Sequence, residues 1–274
     1  MEKLKILYIS QEITPFLDET EISTMARTLP QKMHEAGNEI RVFMPRYGCI
    51  NERRHQLHEV IRLSGMNLVI NDEDHPLIIK VASIPQARMQ VYFIDNEEFF
   101  RRKAVLTDDK GKHFDDNDER SLFFCKGALE TVKKLGWKPD VVHCHGWMTA
   151  MVPMLIKKMF NEDPHFENAK LVYSVYKEAF PKSLDKKLVE KLAYDQIDGA
   201  DVELLKNPTA NAVHGIALQY ADAVVKGSPS LAKDTDALIA SSDLPVLDYQ
   251  GAEGYEKAYA EFYQQVFSEE SALV

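Results

Sequence analysis

Along the chain, short apolar runs alternate with stretches whose apolar residues recur every three or four positions. Leu4, Ile6, Leu7, Tyr8 and Ile9 form a nearly continuous apolar run, the pattern of a strand buried on both faces. After Pro15, the residues Ile22, Met25, Ala26, Leu29 and Met33 fall at helical spacing, and Gly37 stands where a helix C-cap belongs. Residues 39–44 read as a second strand, ended by Pro45. Strand, helix and strand in this order open a βαβ unit.

Three strand-like stretches follow at 59–71, 77–84 and 89–94, too close together for helices between them. They predict an antiparallel insertion across 59–95 that returns to the main sheet. An acidic loop with Asp108, Asp109, Asp115 and Asp116 leads to a helix over 118–135, closed by Gly136. Strands are predicted at 140–143, 171–175 and 222–225, and helices at 149–160, 184–194, 210–220, 231–240 and 255–267. In the last helix Tyr255, Ala258, Tyr259, Phe262, Tyr263 and Val266 make a continuous apolar face, so segment 252–268 is expected to pack back on the domain. The alternation predicts one α/β domain over 1–274, with a Rossmann-like, mostly parallel sheet and flanking helices.

Composition narrows the function classes. With 45% hydrophobic and 28% charged residues the chain carries enough apolar material for a core, which excludes intrinsic disorder. The longest apolar stretch, 148–156, is broken by Thr149 and Pro153 and falls short of the ~20 residues of a membrane span. The N-terminus enters a strand directly and does not read as a signal peptide. With 33 basic against 43 acidic residues, a net charge of −10 argues against a nucleic-acid-coating protein. Cys49, Cys125 and Cys144 form no CxxC pair, and an odd cysteine count fits a reduced cytoplasm.

In open parallel sheets ligands bind beyond the carboxyl ends of strands, where strand order reverses. Two loops qualify: 11–20 after the first strand and 143–147 after the strand at 140. In His143-Cys144-His145-Gly146-Trp147 the two histidines share one strand face. They read as metal ligands lacking a third partner, as packed core histidines, or as a sugar or phosphate contact. Asp116, Asn117 and Arg120 at a helix start read as an N-cap with a charge pair, or as ligand contacts. Trp137 and Trp147 read as core or pocket-wall residues. No G-x-G-x-x-G, P-loop or G-x-S-x-G sequence is present.

Several motifs, in order, resemble one family. The opening Lys5-Ile-Leu-Tyr-Ile-Ser-Gln-Glu12, then Pro15, Leu29-Pro30, Gly37, Arg41-Val42 and Pro45-Arg-Tyr-Gly48 resemble the start of bacterial starch/glycogen synthases. So do Asp116-Asn117-x-x-Arg120, Pro139-Asp-Val-Val-His-Cys-His145 with Trp147, Tyr220-Ala-Asp-Ala-Val224 and Ser228-Pro229. The resemblance implies the N-terminal domain of a GT-B glycosyltransferase. In that family glucose passes from ADP-glucose to an α-1,4-glucan with retention, without metal or other cofactor. It also implies His145 as the catalytic-site residue and Glu12, Asp116, Asn117, Arg120 and Trp147 as substrate contacts.

The departures concern charge. The family's Lys-x-Gly-Gly-Leu loop is here Asp18-Glu19-Thr20-Glu21-Ile22, with an anion for the cation and side chains for both glycines. At an effective dielectric of 20, one repulsive charge pair at 4 Å costs ~4 kcal/mol, roughly a thousandfold in binding. The family's His-x-His-Asp-Trp has Gly146 in place of the aspartate, and its Thr-x-His-Asn is Ser174-Val175-Tyr176-Lys177. After Ser228-Pro229 no room remains for the family's second domain, although Tyr259-x-x-x-Tyr263 resembles its terminal helix. The sequence therefore predicts a non-catalytic glucan-binding or regulatory homologue. The alternatives are a glucosyltransferase half completed by a partner chain, and a metal-dependent enzyme using His143 and His145. Expected partners are α-glucan or ADP-sugar and a protein partner or second copy, with no nucleic acid and no membrane.

Overall fold

The computed structural model describes residues 2–180 and 182–268. Strand β1 (Lys5–Ser10) is followed by helix α1 (Glu21–Glu35) and β2 (Glu39–Pro45), which pairs with β1 in parallel, Tyr8 opposite Val42. The α1 stripe Ile22, Ala26, Leu29 and Met33 is buried, as a helical period of 3.6 requires of a helix lying on a sheet.

The next segment runs antiparallel. β3 (His58–Glu59), β4 (Met66–Ile70), β5 (Glu73–Ile84) and β6 (Met89–Asp95) follow, and β6 lies parallel to β2. β5 pairs β4 along Glu73–Leu77 and then β6 along Ile78–Ile84. The stretch 59–71 is therefore not one strand. Val60 accepts the N–H of Leu63 (2.9 Å) and of Ser64 (3.1 Å), turning the chain and leaving Ile61 83% exposed. Apolar residues in a turn gave a false strand signal.

Helices α2 (Glu97–Phe100) and α3 (Asn117–Lys134) lead to β7 (Val141–His145), then α4 (Met151–Lys158) and β8 (Lys170–Val175). Three helices are shorter than their periodicity implied: α4 against 149–160, then α5 (Leu188–Ala193) against 184–194 and α7 (Lys233–Ala240) against 231–240. Between α5 and α7 lie α6 (Ala210–Tyr220) and β9 (Ala223–Lys226); β10 (Val246–Leu247) and α8 (Tyr255–Ser268) complete the fold.

The sheet order is β10-β9-β8-β7-β1-β2-β6-β5-β3, and all neighbours from β10 to β6 run parallel. α8 lies against α1 and buries Tyr259, Phe262, Tyr263 and Val266. Among the described residues no helix is long and apolar enough to cross a membrane.

Candidate functional site

The chain leaves β1 toward β2 on one side and later returns to β7 on the other, so the order reverses at β1. The carboxyl ends of β1 and β7 bring Gln11 and Glu12 beside His145, Gly146 and Trp147.

His143 and His145 do share one face, their ring centroids 4.0 Å apart. Both are fully buried. His143 Nδ1 lies 2.6 Å from the Tyr263 hydroxyl and Nε2 2.7 Å from that of Ser174. His145 Nδ1 lies 2.7 Å from the Tyr176 hydroxyl. Burial lowers the basicity of both, that of His145 to about 3, and the neighbouring His145 lowers His143 further. Both rings are therefore neutral at physiological pH. The geometry opposes the metal reading, because both nitrogens of His143 are engaged by hydroxyls. Among the described residues no group of three or more His, Cys, Asp and Glu side chains is placed to hold a metal. Two fully buried nitrogens, His145 Nε2 and Trp147 Nε1, have no hydrogen-bond partner among the described residues.

Gly146 adopts φ +85°, and a Cβ there would stand 2.4 Å from Gln11 Oε1. The Gln11 carboxamide thus fills the space that a side chain at 146 would need. Its Oε1 accepts the Met148 N–H (3.2 Å), and its Nε2 donates to Glu178 Oε2 (2.6 Å) and more weakly to Glu12 Oε1 (3.4 Å). Glu178 Oε1 accepts the Trp147 N–H at 2.9 Å. A second close approach covers His145: the Tyr176 ring lies against Gly227, where a Cβ would come within 2.4 Å of it. Trp147 is fully buried, edge-on to Phe180 at 5.0 Å. Neither His145 nor Trp147 reaches the surface.

Glu12 is only half-buried and lines a cleft of about 610 Å³ with Asp18, Thr20, Cys49, Asn51, Arg54 and His55. Its Oε2 accepts the Thr20 hydroxyl at 2.7 Å. Thr20 also caps α1: its Oγ1 accepts the Ser23 N–H (3.0 Å), and Ser23 Oγ accepts the Thr20 N–H (2.8 Å). This reciprocal box uses donors that a glycine-rich loop would leave for a phosphate. Glu21 accepts a hydrogen bond from Ser228. Replacing Asp18→Lys, Thr20→Gly and Glu21→Gly together removes the box and reverses the charge. ADP affinity is expected to rise at least tenfold, read by calorimetry; an unchanged affinity would show that charge and capping do not limit binding.

Asp116, Asn117 and Arg120 are bound into the protein. Asp116 forms a bidentate ion pair with Arg102. Asn117 Nδ2 donates to the Leu106 carbonyl (2.9 Å), and its Oδ1 accepts from Arg120 (2.6 Å). Arg120 is fully buried, donates to the Phe99 carbonyl at 2.8 Å and sits among Tyr47, Phe100 and Phe114. Burial lowers its pKa to about 10, so it keeps its charge. This trio braces the loop over 99–116.

Sequence reasoning missed Glu178 and the bridging role of Gln11. Glu178 follows a strand and reads like any surface carboxylate. Only the missing side chain at 146 hinted that something else fills that space.

Residues 5–239 match the family described as starch synthase catalytic domain. The chain belongs to this family. The glycogen synthase of Chlorobium luteolum is 36% identical over 197 residues, covering 72% of this chain and 40% of that protein. That of Chlorobaculum parvum is 33% identical over 239 residues, covering 84% and 46%. The chain thus spans less than half the length of these curated relatives. The fold matches the catalytic domain of starch synthase IV from Arabidopsis thaliana, solved bound to ADP and acarbose, with a TM-score of 0.74 at 17% identity. That match covers 91% of this chain and 52% of the plant one. Among starch synthase domains, then, this one carries Asp18-Glu19-Thr20-Glu21 as its first loop.

Proposed function

We propose that this starch synthase family member is a non-catalytic, cytoplasmic protein that binds α-1,4-glucan in the cleft at Glu12 and acts on polymer synthesis through a partner. The observation that carries this reading is the start of α1, where Thr20 and Ser23 cap each other and Asp18, Glu19 and Glu21 stand together. A diphosphate there meets repulsion and spent donors. A neutral saccharide meets neither. The cleft instead offers carboxylates, an amide, a guanidinium and an imidazole, side chains suited to sugar hydroxyls. The relatives' names supply the polymer.

Two measurements test this. Purified protein is expected to show no glucose transfer from ADP-glucose to glycogen above a His145→Ala control, and its migration in native gels should slow when glycogen is cast into the matrix. Turnover above the control removes the non-catalytic reading, and unchanged migration removes the glucan reading. The partial coverage of the relatives favours one second reading, a glucosyltransferase half completed by another chain. It requires transfer to appear when that chain is added.

A further inference from the structure

Glu178 lies just beyond β8, yet its carboxylate ends among groups of β1 and the turn after β7. We propose that Glu178 is a positioning residue for the Glu12 cleft. Through the Gln11 carboxamide it fixes the Glu12 carboxylate, and by occupying the Trp147 backbone donor it makes the site select an uncharged saccharide over a phosphorylated one. This rests on the glucan-binding reading above.

The geometry is that of a single bridge. Gln11 is buried and spans two carboxylates, with Glu178 Oε2 at 2.6 Å and Glu12 Oε1 at 3.4 Å from its Nε2. Its oxygen takes the Met148 N–H at 3.2 Å, and Glu178 takes the adjacent Trp147 N–H at 2.9 Å. These two N–H groups open the turn that leads into α4, a place where backbone donors gather an anion. The chain's own carboxylate already stands there. Glu12 is held from its other side by Thr20 at 2.7 Å, so its orientation depends on both ends of the bridge.

A carboxamide has one acceptor oxygen and one donor nitrogen. With Glu178 ionised, all the bonds above are satisfied together. Once Glu178 takes a proton, its O–H donates. With that proton on Oε2, which faces Gln11, the carboxamide turns its oxygen to receive it, giving up the Met148 N–H and Glu12. Burial pushes the Glu178 carboxyl up to about 8, the Glu12 charge raises it too, and the Trp147 and Gln11 hydrogen bonds oppose them. The other titratable groups that sense Glu178 are the buried hydroxyls of Tyr47, Tyr173 and Tyr176. None of these tyrosines ionises below pH 9, since burial raises all three.

The experiment compares wild type with the isosteric Glu178→Gln between pH 6.5 and 9. Maltoheptaose and glucose 1-phosphate are titrated by calorimetry, and Trp147 fluorescence is followed in a Trp137→Phe background. Wild type should bind maltoheptaose more tightly as pH rises through 8, bind glucose 1-phosphate more weakly than maltoheptaose, and show a fluorescence change centred near pH 8. Glu178→Gln should weaken maltoheptaose about tenfold, flatten its pH dependence and abolish the fluorescence change. A variant with wild-type affinity and the same fluorescence titration overturns the proposal, as does tighter binding of glucose 1-phosphate by wild type. Failure of wild type to bind maltoheptaose at any pH removes the glucan reading and the selectivity with it. The bridge is then decided by fluorescence, and a titration that survives Glu178→Gln overturns it.

Discussion

Truncation at Gly254, which removes α8, is expected to leave a chain with no cooperative unfolding transition above 37 °C. The helix buries Tyr259, Phe262, Tyr263 and Val266 to 5% exposure or less. At roughly 1.5–3 kcal/mol for each such side chain, their loss matches much of the ~5–15 kcal/mol that stabilises a domain. The cut also strips the hydroxyl 2.6 Å from His143 Nδ1. Tyr263→Phe isolates that part: it keeps the ring and leaves a buried nitrogen without its partner, at a cost of about 1–3 kcal/mol. Melting should then fall by about 2–12 °C. Calorimetry over a range of protein concentrations checks both variants. A truncated chain that melts like the full one would show that α8 contributes nothing, and a loss confined to low concentration would assign the helix to an interface between copies.

The second large effect is acid destabilisation. His143, His145 and His214 are buried and held neutral, with burial lowering His145 to about 3 and His214 to about 4. An unfolded histidine takes its proton near pH 6.5. Below that pH the unfolded state binds more protons than the native one, so stability falls as pH falls, by about 1.4 kcal/mol per unit for each ring. Glu178 works in the opposite sense. Its raised carboxyl gives stability that is fully present below the ordinary glutamate range and is lost as pH rises through about 8. Combining three histidines with this one carboxyl gives a net loss of about 3 kcal/mol from pH 6.5 to 5, or about 6–12 °C in Tm. Urea midpoints at pH 5, 6.5 and 8 test it. A midpoint as high at pH 5 as at 6.5 would mean that the rings gain solvent or partners on protonation.

The parts of this fold that were legible in sequence are those where one period dominates. Residues 6–9 are buried on both faces and show an unbroken apolar run, and α1 shows its stripe because only one face touches the sheet. The insertion was read less well, since Val60 and Leu63 pack inward from a turn and mimic a strand. At the site, strand alternation was enough to put His143 and His145 on one face. It did not show that Tyr176 and Tyr263 would engage them, because those contacts join positions 31 and 120 residues apart. Glu178 was invisible for the same reason: its partners, Gln11 and Trp147, lie 167 and 31 residues away. Arg120 belonged to a recognisable motif, but a motif does not reveal that its Nε and Nη1 donate to Phe99 and Asn117 while its Nη2 is left without a partner among the described residues.

The central place of β1 has a consequence for synthesis on the ribosome. Lys5 at the start of β1 hydrogen-bonds Asp140 just before β7, 135 residues later, so β1 emerges long before one of its two neighbours exists. At about 5–20 residues per second that interval is about 7–27 s. During it, the unpaired margin of a strand that the finished fold buries from Ile6 to Ser10 faces the crowded medium beside the exit tunnel. β2 arrives sooner and shields the other margin. Tyr263 is translated 120 residues after His143, so the neutral pair waits for its last hydroxyl until α8 has been made. The order of translation therefore leaves this protein most dependent on chaperones over the stretch between β2 and β7, and the last closure of its centre comes only with α8.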